Sequence, residues 1–189
     1  EPIRLAFVVG GIEFVDERLG FAEIAERKKS FPFETVPVVE IDGLVIGQSL
    51  PALKYVGKRT GIFPDHDPKL AAKVEEIQAF MYDVQGEFQQ RLRESDEMKK
   101  LEMMTQFADR CLPAAFGRIE AILMKNGTGY CVGDSLTTAD LMLVGLAHWV
   151  EAGFIDGIPS TLLSEFEMVQ KCKSLVYGHP KIKAWYDQH

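Results

Sequence analysis

The sequence predicts a small mixed α/β unit followed by an all-helical domain, and three observations carry that expectation. Residues 38–46 read as a β-hairpin around Asp42-Gly43, a pair that supplies the positive φ angles of a two-residue turn. From residue 69 onward, apolar residues recur at steps of three and four, the period of helices with one buried face. Between the two lies Gly61-Ile62-Phe63-Pro64-Asp65-His66-Asp67-Pro68, where one glycine and two prolines break both periods. The expected division is residues 1–61 for the mixed unit, 62–68 for a linker and 69–189 for the helical domain.

Each element has its own local reason. Residues 2–9 read as a helix, because Pro2 suits a first turn, where its missing N–H has no partner anyway, and Gly10 suits the stop. Residues 13–19 read as a strand and 22–29 as a short helix. Pro37 stands just before the hairpin, where the lack of a donor harms the ladder least. Ser49 reads as the N-cap of a helix ending near residue 60, with Ala52, Leu53 and Val56 facing inward. Leu70, Val74, Ile77, Met81, Val84, Phe88 and Leu92 form one stripe along a helix over 69–94. A second helix over 98–125 carries Leu112, Phe116, Ile119 and Leu123, with a kink expected at Pro113. Thr137-Thr138-Ala139-Asp140 reads as a capping box with Asp in place of Glu, and Leu136 and Leu141 as its hydrophobic staple. Shorter helices close the chain, the last including Ile182 and Trp185.

Composition excludes several function classes. A length of 189 residues suits one domain or two small ones. The net charge of −7 argues against a nucleic-acid partner, which requires a basic surface. Apolar runs such as residues 5–9 are far too short to cross a bilayer. The chain opens at Glu1 without Met and without a charged-then-apolar leader, and its true start is expected to lie upstream. Cys111, Cys131 and Cys172 are an odd number with no close pair, which suits buried thiols in a reducing cytosol rather than a disulfide framework. His66, His148, His179 and His189 are scattered, so no metal site is readable. A serine nucleophile elbow and a phosphate-cradling glycine loop are absent as well.

The strip from Phe31 to Tyr55 carries the most information. Pro32-Phe33, Val36-Pro37-Val38, Glu40, Asp42-Gly43, Gln48-Ser49 and Lys54-Tyr55 follow one another in it. In that order they resemble the glutathione-binding half of the glutathione transferase family. Glu1-Pro2-Ile3-Arg4-Leu5 resembles the start of that family's first helix. Asp134-Ser135-Leu136-Thr137-Thr138-Ala139-Asp140 resembles its capping-box signature, and His179-Pro180-Lys181-Ile182-Lys183-Ala184-Trp185 its late helix. The resemblance implies the glutathione transferase fold: an α/β thioredoxin-like N-terminal domain, here lacking its first strand, and an all-α C-terminal domain. Gln48-Ser49 at a helix start accompanies the tyrosine-using classes, and the overall pattern is sigma-like.

The resemblance also implies roles for single residues. Pro37 is implied to be cis, turning the Val36 backbone toward the cysteinyl backbone of glutathione for strand-like pairing. Gln48 and Ser49 are implied to hold the γ-glutamyl end, its carboxylate resting on the N–H groups of the helix start. Lys28 falls where the family carries a lysine for the glycyl carboxylate, although the family's tryptophan four residues earlier is Ile24 here. A solvated surface charge is the other reading of Lys28. Thr35 is placed beside this group. Asp83, two residues beyond Met81 and so turned from the core row, matches an aspartate that reaches across a homodimer to the γ-glutamyl ammonium.

No catalytic residue is assigned within residues 1–189. The sulfur-activating tyrosine and a nearby arginine are expected upstream of Glu1, and this chain alone is expected to be poorly active or unfolded. The implied activity is conjugation of the thiol of reduced glutathione to an apolar electrophile, with peroxidase or prostaglandin-isomerase-type side activity, in a cytoplasmic homodimer with no metal. The alternative is a non-catalytic binding or structural module on the same fold.

Overall fold

The computed structural model describes residues 1–188; His189, one of the four histidines noted above, lies outside the described residues. Helix α1 spans Pro2–Gly10 and buries Leu5, Ala6 and Phe7. Gly11 ends it at φ 66, a left-handed step that glycine takes without a Cβ clash.

Residues 13–19 do not form the expected strand. The strand period is present: half-buried Ile12, Phe14 and Asp16 alternate with exposed Glu13, Val15 and Glu17. Phe14 stacks on Phe7 with ring centroids 5.1 Å apart. What these residues lack is a ladder neighbour, since strands exist by pairing, and an open cleft lies between them and the hairpin.

Helix α2 follows over Phe21–Arg27, then two short 3-10 turns over Lys28–Ser30 and Pro32–Glu34. The Val36–Pro37 peptide is cis. Strands β1 (Val38–Ile41) and β2 (Leu44–Gly47) pair antiparallel with Ile41 opposite Leu44. Their turn has φ 50 at Asp42 and φ 78 at Gly43, as the Asp-Gly pair requires. This is the one sheet among the described residues.

Helix α3 spans Ser49–Thr60 and buries Ala52, Leu53, Val56 and Gly57. Helix α4 spans Pro68–Leu92, with the Asp67 side chain accepting from the Lys69 and Leu70 N–H groups at 2.8 and 3.2 Å. Its stripe is buried from Val74 to Phe88, while the terminal Leu92 is exposed.

The helix expected over 98–125 is in fact three pieces: α5 (Glu97–Gln106), a π turn (Phe107–Cys111) and α6 (Leu112–Asn126). Pro113 is the physical reason. It offers no N–H to the preceding turn and its ring crowds that turn's carbonyl, so the helix widens locally there. Helices α7 (Thr138–Glu151), α8 (Glu167–Tyr177) and α9 (Pro180–Gln188) complete the chain.

Helix α1 packs on α3, α7 and α9, and α4 packs on α7. A Cβ at Gly57 would stand 2.4 Å from the Thr138 methyl, so glycine is what lets α3 lie so close to α7. One cluster of buried apolar side chains runs from Leu5 to Ile182. Among the described residues no helix is long and apolar enough to cross a membrane.

Candidate functional site

Strand β2 ends at buried Gly47, and Gln48 alone turns the chain into α3. It does so at φ 71 and ψ 134, close to a region essentially confined to glycine, where another residue costs on the order of 1–3 kcal/mol. Gln48 therefore takes the N-cap place expected for Ser49, and Ser49 becomes the first helical residue. The reversal from strand to helix needs one non-helical residue at this point, which is why the cap falls one position earlier.

The start of α3 is rich in unpaired donors. Ala52 N–H bonds the Gln48 carbonyl at 3.2 Å, and Pro51 has no N–H. The N–H groups of Ser49 and Leu50 have no acceptor among the described residues, as expected of a helix's first turn. Together with the dipole they favour an anion at this end.

This turn opens on a cleft of about 1490 Å³. Its walls are α1, residues 12–19, Val36, Pro37, β1 and Ser49, with Gln85 of α4 and Met142 of α7 contributed by the helical half. Inside it, Arg4 Nε and Arg18 Nε each donate to Asp16 at 2.6 Å. Burial pushes the Asp16 carboxyl up, but the hydrogen bonds from Arg18 and Arg4 outweigh it and hold it below its ordinary value. Asp16 is thus a fixed anion, and it consumes the charge of the one arginine that α1 offers to the cleft.

Residues 82–189, more than half of the chain, match the family model of the glutathione S-transferase C-terminal domain. Glutathione S-transferase 1 of Ascaris suum is 30% identical, over 98% of this chain and 88% of that protein. The chain belongs to the glutathione S-transferase family. The solved glutathione S-transferase of Ascaris lumbricoides superposes with a TM-score of 0.79 at 30% identity, covering 99% of this chain and 90% of its own. The fold is shared as well with prostaglandin synthase D of Nilaparvata lugens, at a TM-score of 0.90 and 23% identity, over 100% and 91% of the two chains. The expected glutathione transferase fold therefore stands, with a two-stranded sheet in the thioredoxin-like part and an all-helical remainder.

Within this glutathione transferase, Val36, Pro37 and Ser49 share the cleft lining, and half-buried Gln48 immediately precedes Ser49. Thr35 is exposed beside Val36. Lys28 stands off the lining, exposed and 3.6 Å from the Glu34 carboxylate. Asp83 is exposed on α4, outside the lining, although Gln85 two residues on belongs to it. Tyr55 and Tyr82 do not line the cleft.

Arg4, Asp16 and Gln85 are lining residues that the sequence pattern did not mark. Gln78, two helical turns before Gln85 on the same face of α4, is 3% exposed with its amide nitrogen unpaired. Elsewhere in the helical half, Cys131, Asp140 and Cys172 bring three possible metal-ligand atoms within 4.8 Å of one another. Asp140 is the capping-box residue: its carboxylate accepts from Cys131 N–H at 2.6 Å, Thr137 N–H at 2.7 Å and the Thr137 hydroxyl at 2.8 Å. Burial raises its pKa, and these hydrogen bonds offset only part of that rise.

Proposed function

We propose that this glutathione transferase holds reduced glutathione in the cleft beside α3 and presents its thiol to apolar electrophiles. The observation that carries the reading is the strained turn at Gln48, which delivers two free N–H groups and the Ser49 side chain to the wall of a cleft. Strain of that kind persists where the surroundings over-determine it, and binding sites are a common reason. The γ-glutamyl carboxylate is assigned to the Ser49 and Leu50 N–H groups with the Gln48 side chain beside it. The Val36 backbone is assigned to the cysteinyl unit, in edge-strand fashion. Lys28 and Thr35 are assigned to the glycyl end, which requires Lys28 to exchange its ion pair with Glu34.

In the reaction the sulfur forms a bond to an electrophilic carbon, the leaving group departs with its bonding pair, and the thiol proton passes to solvent. A free thiol has a pKa near ~8.5, so only a few per cent is thiolate at neutral pH. Lowering that by ~2 units requires about 2.7 kcal/mol of anion stabilisation. Neither Tyr55 nor Tyr82 is assigned to supply it. The residues named here bind and orient the tripeptide, which is where their contribution to rate lies.

Asp83 is assigned to the cleft of a second copy in a homodimer, since it is exposed on α4 and outside the lining of its own cleft. Residues 1–61 are taken as the glutathione-binding unit, 62–68 as the linker and 69–189 as the helical domain. Three free cysteines suit a reducing compartment such as the cytoplasm.

Isothermal titration with glutathione tests the assignment on the whole chain. Ser49→Ala and Gln48→Ala are expected to bind about tenfold more weakly or worse, since each loses a hydrogen bond to a charged group. Unchanged affinity in both removes it.

A further inference from the structure

We propose that Cys131, Asp140 and Cys172 form a binding site for one thiophilic divalent cation of the zinc or cadmium type, a site separate from the cleft. The three residues are 3%, 0% and 0% exposed. Their candidate ligand atoms lie within 4.8 Å of one another, and Cys172 Sγ is 3.5 Å from Asp140 Oδ1. At the tetrahedral angle, zinc bonds of ~2.3 Å to sulfur and ~2.1 Å to oxygen put ligand atoms roughly 3.6–3.8 Å apart. The Cys172–Asp140 pair already stands at that separation, and the widest pair needs to close by about 1 Å at most.

The chemistry of the set selects the ion. Two thiolates and one carboxylate suit a soft metal, whereas magnesium and calcium require six or more oxygens. The supporting bonds are already in place, because Asp140 Oδ2 is held by the Thr137 N–H and hydroxyl, and Oδ1 by the Cys131 N–H. Ligating carboxylates are normally fixed in this way.

Charge balances too. As the ion enters, two S–H bonds break, both protons leave to solvent and two metal–sulfur bonds form, with no change of oxidation state. Two thiolates, one carboxylate and a dication sum to −1, the charge Asp140 carries alone. Binding therefore adds no net buried charge, the term that usually opposes ionic groups in a core. The ion would join the segment between α6 and α7, the start of α7, and α8 at one point.

The test titrates the whole chain, reduced with a non-thiol reductant, stripped of metal and free of glutathione, with cadmium chloride. Sulfur-to-cadmium charge-transfer absorption and native mass spectrometry are expected to report one ion per chain. X-ray absorption is expected to find two sulfur ligands per ion. Cys131→Ser and Cys172→Ser are each expected to weaken binding by at least the ~10–100-fold that losing even a supporting partner costs. Cys111→Ser, which removes the exposed thiol, is expected to bind as the parent does.

Absence of bound cadmium, retention of full affinity by Cys172→Ser, or loss of binding in Cys111→Ser overturns the proposal. So does a chain that takes up no ion and instead forms a Cys131–Cys172 disulfide with a hydroperoxide. If the serine variants fail to fold, the sulfur count on the unaltered chain decides: one sulfur or none refutes the site.

Discussion

Replacing Gln48 by glycine should make the protein more stable and a poorer binder at once. Gln48 sits at φ 71 and ψ 134, which costs on the order of 1–3 kcal/mol for a residue with a Cβ. Glycine removes that cost but gives up about 0.5–1 kcal/mol more backbone entropy on folding. The net gain is therefore about 1 kcal/mol at mid-range, within roughly 0–2.5 kcal/mol. With a urea m-value of ~2 kcal/mol/M for a chain of this size, the unfolding midpoint should rise by roughly 0.6 M and by no more than about 1.2 M. The side chain's hydrogen bond to a charged ligand group is lost in the same step, and at about 1.5–3 kcal/mol that weakens glutathione binding roughly 10–100-fold. Gln48→Ala separates the two effects, since it keeps the strained backbone and loses the same contact. It should bind as weakly as the glycine variant with no gain in midpoint. The reasoning fails if Gln48→Gly unfolds at lower urea than the parent, or if its glutathione affinity is unchanged.

Asp140→Ala leaves two buried N–H groups and the Thr137 hydroxyl without their acceptor. The expected loss is about 3–5 kcal/mol, seen as a lower urea midpoint at constant m; a change below about 1 kcal/mol would show that the capping box contributes little. Asp16 contributes to an acid limb alongside Glu17, Asp67 and Glu94, whose carboxyls are also held below their ordinary values by hydrogen bonds. The Asp16 carboxyl is held below its ordinary value by Arg18 and Arg4 despite partial burial. The linked stability is present above that value and is lost as pH falls through the lower folded pKa. Unfolding free energy should thus drop below about pH 4, and Asp16→Asn should flatten that limb; a limb unchanged in the variant would place the acid sensitivity elsewhere.

What the sequence revealed was what nearest neighbours decide. Asp42-Gly43 forced a two-residue turn, the stripe from Val74 to Phe88 forced one buried face, and Thr137 with Asp140 formed their box from three residues of separation. The reading failed where distant pairing decides. Residues 13–19 carry the strand period yet have no partner beside them, and periodicity cannot supply one. Pro113 marked a break correctly, but whether a helix answers by bending or by widening into a π turn depends on what it packs against.

Much of the candidate site was legible by resemblance, because Val36, Pro37, Gln48 and Ser49 lie within fourteen residues. Arg4 and Gln85 were not, since only the packing of α1 and α4 brings them to the same cleft. The thiol cluster was invisible for the same reason: its members are nine and thirty-two residues apart, spacings that match no local motif.

The central claim is tested most directly by a crystal of the chain soaked with reduced glutathione. The account predicts the γ-glutamyl carboxylate within hydrogen-bond distance of the Ser49 and Leu50 amides, and the cysteinyl backbone alongside Val36. A tripeptide bound elsewhere, or a cleft that stays empty at saturating ligand, would contradict it.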